Sequence, residues 1–271
     1  TGMDKETVNN CYIIDESRHL LGVVSLRGIV MAREDARMQD IMETNVISVT
    51  TQEDQESVAR LFSLYDLNVL PVVDTENRMV GIVTVDDAID VIEEETTEDI
   101  SKMAAITPSD RPYLKTSVWM LWKSRIPWLL LLMLSATFTG MIITHFEGVL
   151  SFSIALTAAI PMLMDTGGNC GSQSSVTVIR SLSLGELHFK DLFKVWWKEA
   201  RVAVMCGVTL AVANFVKLLL IERVGVPIAL TICLTLCVTV FIAKMVGCTL
   251  PILADKLGFD PAVMASPFIT T

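Results

Sequence analysis

Hydrophobic positions follow two different rhythms along the chain. Up to about residue 110 they come in short runs bounded by Asp, Gly and Asn. That pattern predicts strands at 46–49 and from Leu70, with helices at 27–36, 55–65 and 86–95. Beyond residue 126 the apolar positions run on at membrane length, over 126–146, 149–179, 195–221 and 226–253, with a fifth tract starting at 260–271 and cut off there. The first tract holds 21 residues, about 31 Å as a helix. The expected fold class is an α+β domain followed by an all-α polytopic transmembrane bundle. The first membrane-length run begins after residue 120, so no secretory leader is expected.

The first part contains a repeat. With Asp15 set on Asp74, Gly22 falls on Gly81, Val23-Val24 on Ile82-Val83, Ser25 on Thr84 and Leu26 on Val85, an offset of 59 residues. Each copy reads as strand, Asp-containing turn, strand ending in a glycine and two β-branched residues, then helix. This arrangement resembles a pair of CBS modules. The second, 38–99 with its acidic linker, is whole; the first, 1–37, holds its last third, so the sequence is expected to be a piece of a longer chain with an exposed sheet edge. Gly81-Ile-Val-Thr84-Val-Asp-Asp87 is similar to the run with which nucleotide-binding CBS modules hold ribose and phosphate. The resemblance makes ATP a candidate cofactor, with Thr84 and Asp87 as its contacts. The plainer alternative makes Thr84 a helix N-cap.

Within the second apolar tract, 161–173 reads Pro-Met-Leu-Met-Asp-Thr-Gly-Gly-Asn-Cys-Gly-Ser-Gln. Asp165, Asn169, Ser172 and Gln173 offer oxygens, while Gly167, Gly168 and Gly171 permit close helix approach or unwinding. Irregular backbone at membrane depth survives only in protein or along a cavity, and an oxygen-rich kink there suits a hard cation. A small-residue packing seam is the alternative.

Charge sharpens the division. Residues 1–110 carry 23 acids against 8 lysines and arginines, whereas 111–271 carry 13 basic residues against 8 acids. The acidic part argues against nucleic acid and for metal cations. Between 86 and 99 eight of fourteen residues are acidic and none is basic. On a helix Asp86, Asp90 and Glu93 share one face, and Asp87, Glu94 and Glu98 another. Like charges at that spacing repel by a few tenths of a kcal/mol per pair, and a divalent ion would reverse the sign; a solvated acidic face is the alternative. Six cysteines, Cys11, Cys170, Cys206, Cys233, Cys237 and Cys248, form no CxxC pair, and five lie in apolar tracts as small hydrophobes. His19, His145 and His188 are isolated, which excludes a His-Glu-x-x-His protease helix.

Residues 100–125 read as an amphipathic connecting helix lying on the membrane surface, with Trp119, Trp122, Lys115, Lys123 and Arg125 at the interface. Basic residues gather before the first span and between the second and third (Arg180, Lys190, Lys194, Lys198, Arg201), which places the N-terminal part in the cytosol. Lys217 lies near a helix end and snorkels; Lys244 sits deep in the fourth span with no evident role. Glu199 and Asp260 begin the third and fifth spans on the same side, as a paired-carboxylate metal site or as two capping acids.

The order of CBS pair, acidic linker, connecting helix and five spans, with Gly-Gly-Asn-x-Gly-x-Gln after a proline, resembles the MgtE family of magnesium channels over nearly the whole chain. The resemblance implies a homodimeric, multi-pass Mg²⁺ channel of the plasma (inner) membrane that mediates magnesium uptake and is not an enzyme. It implies closure by cytosolic Mg²⁺ at Glu56, Asp66, Asp87, Asp90, Glu95, Glu98 and Asp99, tuned by ATP. Gly168, Asn169 and Ser172 would line the pore, with Glu199 and Asp260 as accessory metal ligands. Ser172 stands where many members have a second Asn, and the family's central pore aspartate falls beyond Thr271. The competing reading is a CBS-regulated transporter of another divalent cation, such as Mn²⁺ or Co²⁺. An anion carrier would need more deep basic residues than Lys244, and a plain membrane anchor leaves 161–173 unexplained.

Overall fold

The computed structural model describes residues 9–109, 111–264 and 269. It divides into two compact units, Thr1–Thr96 and Thr97–Thr271.

In the first unit β1 (Asn10–Ile14) pairs antiparallel with β2 (Leu20–Ser25), and α1 (Leu26–Met31) follows. After the single turn α2 (Met38–Ile41) come β3 (Val49–Thr50), α3 (Gln55–Tyr65), β4 (Val69–Val73), β5 (Met79–Thr84) and α4 (Val85–Met103). The second sheet has the order β3-β4-β5, with β3 parallel and β5 antiparallel to β4. Leu70, Val49, Phe62, Ala59 and Ala88 form its core, so the sheet packs against α3 and α4.

The repeat recurs in the hydrogen bonds of its two hairpin turns. Asp15 Oδ1 accepts from the backbone N–H groups of Ser17 and His19; Asp74 Oδ1 accepts from those of Glu76 and Arg78. The turns place Arg18 and Asn77 in the left-handed region, at φ 69° and 61°. Both hairpins carry a bulge at the same step, Ile13/Ile14 and Val72/Val73. The two turns then exchange bonds about a pseudo-twofold axis: Leu20 N donates to Asn77 O (3.1 Å) and Met79 N to Arg18 O (2.8 Å).

Three boundaries differ from the sequence expectation. The first-copy helix stops at Met31, where Ala32 turns extended. The third strand begins at Val49 rather than Val46. The acidic helix runs on to Met103 because nothing between 86 and 103 breaks a helix.

The second unit is helical. Among the described residues α5 (Val118–His145), α6 (Glu147–Leu150), α7 (Ile154–Ser183), α8 (Leu192–Leu220) and α9 (Val226–Lys256) precede a 3-10 turn at Pro261–Met264. The expected connecting helix over 100–125 does not form as one element: α4 ends at Met103, and Ser117 caps the start of α5 by accepting from Met120 N. The stretch with Trp119, Trp122, Lys123 and Arg125 is therefore the first part of α5, its two tryptophans stacked at 4.6 Å. The expected kink at 161–173 is corrected too. The α7 helix continues through Pro161 and all three glycines; all three are buried, and Gly167 and Gly171 lie against Thr239 and Ala243 of α9. Three helical segments, Val118–His145, Phe189–Leu220 and Val226–Lys256, are long and apolar enough to cross a membrane among the described residues. The α7 helix has the length, at 30 residues, about 45 Å, but its polar residues keep it out of that set. Of the fifth tract, 265–268 and 270–271 lie outside the described residues.

The α7 and α8 helices both pack on α9. Ala159 and Leu218 meet Ala229 and Ile232 at one end, and Val178 and Val195 meet Cys248 and Ile252 at the other. The α7 helix is thus parallel to α9 and α8 antiparallel. Cys233 and Cys237 donate from their thiols to the α8 carbonyls of Ala211 and Gly207, both at 3.3 Å. All six cysteines are free.

Candidate functional site

The α7 helix has two faces of opposite character. Ala159, Gly167, Gly168, Cys170, Gly171, Ser174, Ser175 and Val178 are buried. On the other side Pro161, Asp165, Asn169, Gln173 and Thr177 form an exposed row at a spacing of four, which winds slowly round the helix because the helical period is 3.6 residues. Asn169 Nδ2 donates to Asp165 Oδ2 at 3.1 Å, and Thr177 Oγ1 to Gln173 O at 2.8 Å. Of the expected pathway residues, Asp165, Asn169 and Gln173 share the row and Ser172 is half-buried beside it. Gly168 belongs to the packed face.

The packed face shows what the glycines do. A Cβ on Gly247 of α9 would collide with the carbonyl oxygen of Gly171, and one on Gly171 would meet Ala243 O at 3.1 Å. The two backbones touch there, so helix approach accounts for these glycines without unwinding.

The accessory acids are not brought to a shared ion. Glu199 of α8 accepts from Ser174 Oγ at 2.7 Å and lies 3.6 Å from Lys244 Nζ. Asp260 accepts from Lys102 Nζ at 2.5 Å, and Lys102 also pairs with Glu98. Burial pulls the Lys102 pKa down, but hydrogen bonds and charge from Asp260 and Glu98 outweigh it and hold the ammonium above the usual lysine range. Each acid has its own lysine. Lys217, near the end of α8, pairs with Glu222 at 3.0 Å.

The expected regulatory acids are spread out. Glu56 lies in the first turn of α3, while Asp66 is its C-cap in the left-handed region at φ 51°; ten residues of helix separate them by about 15 Å. Asp87 and Asp90 are exposed on α4. Glu95 accepts from Gln55 Nε2 at 2.8 Å, and Asp99 from Ser183 Oγ at 3.4 Å. Among the described residues no group of three His, Cys, Asp or Glu side chains could hold a metal ion. Among the described residues the expected regulatory acids thus form no such group within one chain.

The candidate nucleotide contacts close on each other. Thr84, 6% exposed, donates from its hydroxyl to Asp87 Oδ2 at 2.6 Å and from its backbone N–H at 3.1 Å. These bonds hold the Asp87 carboxyl below its ordinary pKa of 3.8. In the first copy the cap is reversed: Ser25 Oγ accepts from Gly28 N at 3.0 Å. A cleft of about 340 Å³ lies in this unit, with Asn10, Tyr12, Ser25, Glu43 and Asn45 among its lining residues.

Ser174, Lys244 and Lys102 were not foreseen as members of any site. Lys244 stood out as a charge at membrane depth, but its partners come from 45 and 70 residues away in sequence, which no local pattern reports.

Residues 160–271 match the family profile of MgtE, described as a divalent cation transporter, and 38–94 match the CBS domain. The magnesium transporter MgtE of Thermus thermophilus is 42% identical over 99% of this chain and 59% of its own length. The protein of the same description from Bacillus subtilis is 37% identical over 98% of this chain and 58% of its own. The chain thus spans somewhat less than three fifths of the length of these relatives. A crystal structure described as the cytosolic domain of the Mg²⁺ channel MgtE in complex with ATP covers 32% of this chain and 36% of its own, at 52% identity and a TM-score of 0.32.

Proposed function

The chain belongs to the MgtE family of divalent cation transporters, and from that premise we propose that it forms part of a Mg²⁺-selective channel whose ion path runs along the exposed row of α7. The observation that carries the reading is the row itself. Asp165, Asn169 and Gln173 are exposed on a membrane-length helix whose other face is packed. Polar side chains turned to hydrocarbon are costly, so they face water or a second protein surface. Two copies with their α7 rows opposed would enclose a polar path in a homodimer. Mg²⁺ sheds water reluctantly. The amides of Asn169 and Gln173 and the hydroxyl of Ser172 would therefore hold its water shell, and the Asp165 carboxylates would offset its charge. Gly168 acts from behind by letting α7 pack closely.

The basic residues before α5 and between α7 and α8 support a cytosolic N-terminal unit in a protein of the plasma membrane. Regulation by cytosolic Mg²⁺ rests on charge rather than on a formed site. The acids of α4 repel one another, and a divalent counter-ion relieves that repulsion, with Glu56, Asp66, Asp87, Asp90, Glu95, Glu98 and Asp99 as contributors and a second copy completing any coordination. Glu199 and Asp260 contribute through their lysines. The ATP reading rests on the cleft lined by Tyr12, Ser25 and Glu43, since Thr84 and Asp87 already satisfy each other.

Flux into sealed vesicles holding the purified full-length protein tests the core of this. Mg²⁺ entry should exceed that of empty vesicles, and Mn²⁺ and Co²⁺ should compete less well than Mg²⁺. Entry equal to that of empty vesicles would sink the channel reading; preference for Mn²⁺ or Co²⁺ would replace the ion. Protease protection of 86–125 across a Mg²⁺ titration, set against K⁺ of equal ionic strength, tests the regulatory part. Cleavage indifferent to Mg²⁺ would reduce the acids to a solvated face.

A further inference from the structure

Lys244 is 4% exposed, on a helix of membrane length. A lone ammonium in such a place is strongly disfavoured, so its partners define what it does. Its Nζ donates to Ser174 Oγ at 3.1 Å and lies 3.6 Å from Glu199 Oε2, to which Ser174 Oγ donates at 2.7 Å. One group from each of α7, α8 and α9 thus meets in one largely buried layer, three residues after Gly171 on α7 and three before Gly247 on α9. The geometry is loose for an ion pair: the carboxylate takes its short bond from a hydroxyl, not from the ammonium. The adjacent Ser175 Oγ is fully buried and has no hydrogen-bond partner. The layer therefore holds a carboxylate and a hydroxyl, and the carboxylate has more acceptor capacity than its contacts use, which is oxygen chemistry suited to a hard divalent cation.

We propose that Lys244 is a tethered cation: its ammonium stands at Glu199 and Ser174 in competition with a divalent ion, so that this layer takes up metal only when the lysine is removed or displaced. In this role Lys244 is a positioning residue that keeps metal off the packed face of α7, opposite the exposed row. It keeps the layer electrically neutral in the absence of metal and prevents Glu199 from trapping the permeant ion. The proposal rests on reading the protein as a conductor of divalent cations.

The test counts Mn²⁺ bound to the purified full-length protein by electron paramagnetic resonance and follows the unfolding midpoint in detergent, with vesicle flux measured in parallel. Lys244→Met should bind one more Mn²⁺ per chain than the wild type, at least tenfold more tightly than any site the wild type offers in this layer. Its lowered midpoint should recover on adding Mn²⁺, because a ligand of the folded state stabilises it by mass action. Lys244→Met with Glu199→Gln should lose both the extra ion and the Mn²⁺-dependent recovery. A Lys244→Met protein that folds only with Mn²⁺ present supports the proposal equally. Equal Mn²⁺ stoichiometry in wild type and Lys244→Met overturns it, as does failure of Lys244→Met to fold with or without Mn²⁺ while the double variant folds, for the pair would then be purely structural. An extra Mn²⁺ site in a protein without flux would defeat the transport reading and leave this one standing; flux without the extra site would do the reverse.

Discussion

The α7 and α9 helices are nearly equal in length, 30 and 31 residues, and lie side by side, yet they handle polarity in opposite ways. The α9 helix turns its one charge in mid-membrane inward, where Lys244 finds Ser174 and Glu199. Its exposed threonines, Thr231 and Thr235, bond back to carbonyls four residues earlier. The α7 helix turns Asp165, Asn169 and Gln173 outward, and the bond recorded between them, Asn169 to Asp165, stays within the row. A polar group at membrane depth is affordable when it is satisfied inside the fold or when it faces water. The first solution fixes a bundle; the second makes sense only for a helix that lines something. Each variant below moves a residue from one solution toward the other.

The largest effect should come from the face the two helices share. Gly247→Val puts a Cβ into the Gly171 carbonyl, and neither backbone can yield without separating α7 from α9. Overpacking costs about 1–3 kcal/mol, and a backbone clash lies at or beyond the upper end. The expected outcome is loss of a monodisperse peak in size-exclusion chromatography, or a sharply lower unfolding midpoint. Gly81→Ala serves as a control, since a Cβ there meets nothing within 4 Å. A Gly247→Val protein as stable as the wild type would show that the helices are not in contact at this point.

Changing the exposed row should do the reverse. Asn169→Leu removes an exposed amide whose recorded side-chain partner is its neighbour Asp165, so stability should shift by about 0.5 kcal/mol or less, as surface changes do. Mg²⁺ flux in vesicles should fall at least tenfold. A stable variant with undiminished flux would move the ion path away from this face; an unfolded one would put Asn169 among the structural residues and erase the contrast with α9.

How far these features could be read in the sequence depends on the range of the interaction. The repeat was legible because Asp15 and Asp74, with their left-handed Arg18 and Asn77, are local turn chemistry, and a 59-residue offset repeats it whole. The two-part architecture followed from the lengths of the apolar runs. The polar row of α7 was visible as residue types, but its helical continuity was misjudged. Glycines and a proline suggest unwinding in isolation, whereas Gly171 against Gly247 turns the same residues into a packing surface. Glu199 and Asp260 looked like a pair because both begin a span on the same side. Their partners, Lys244 and Lys102, are 45 and 158 residues away in sequence, and only the fold supplies them.

Lys102 extends the comparison to a half-exposed setting. Like Lys244 it stands between two acceptors, here Glu98 and Asp260, but its side chain and theirs are 23%, 40% and 32% exposed. Solvent screens such pairs, so Lys102→Met should cost about 1 kcal/mol or less, well below what breaking a buried pair costs. The check is a pair of salt titrations of the unfolding midpoint: the wild-type advantage over Lys102→Met should shrink as ionic strength rises. An advantage indifferent to salt would mean that Lys102 is buried in the assembled protein and belongs with Lys244.

The smallest effect is at Asp87, where a carboxylate is satisfied within the first turn of its own helix. The Thr84 hydroxyl and backbone N–H hold its pKa below the ordinary 3.8. The group is depressed on folding, so its contribution to stability is complete above the unfolded value. That contribution fades as pH falls through the lower, folded one. Asp87→Asn keeps the shape but removes the charge. It should therefore lower the unfolding midpoint modestly at neutral pH, and the gap to the wild type should close in acid, below pH 3.8. A gap that persists unchanged at such pH would mean that geometry rather than charge makes the cap. A gap that instead varies with Mg²⁺ at neutral pH would show that metal competes with Thr84 for the Asp87 carboxylate.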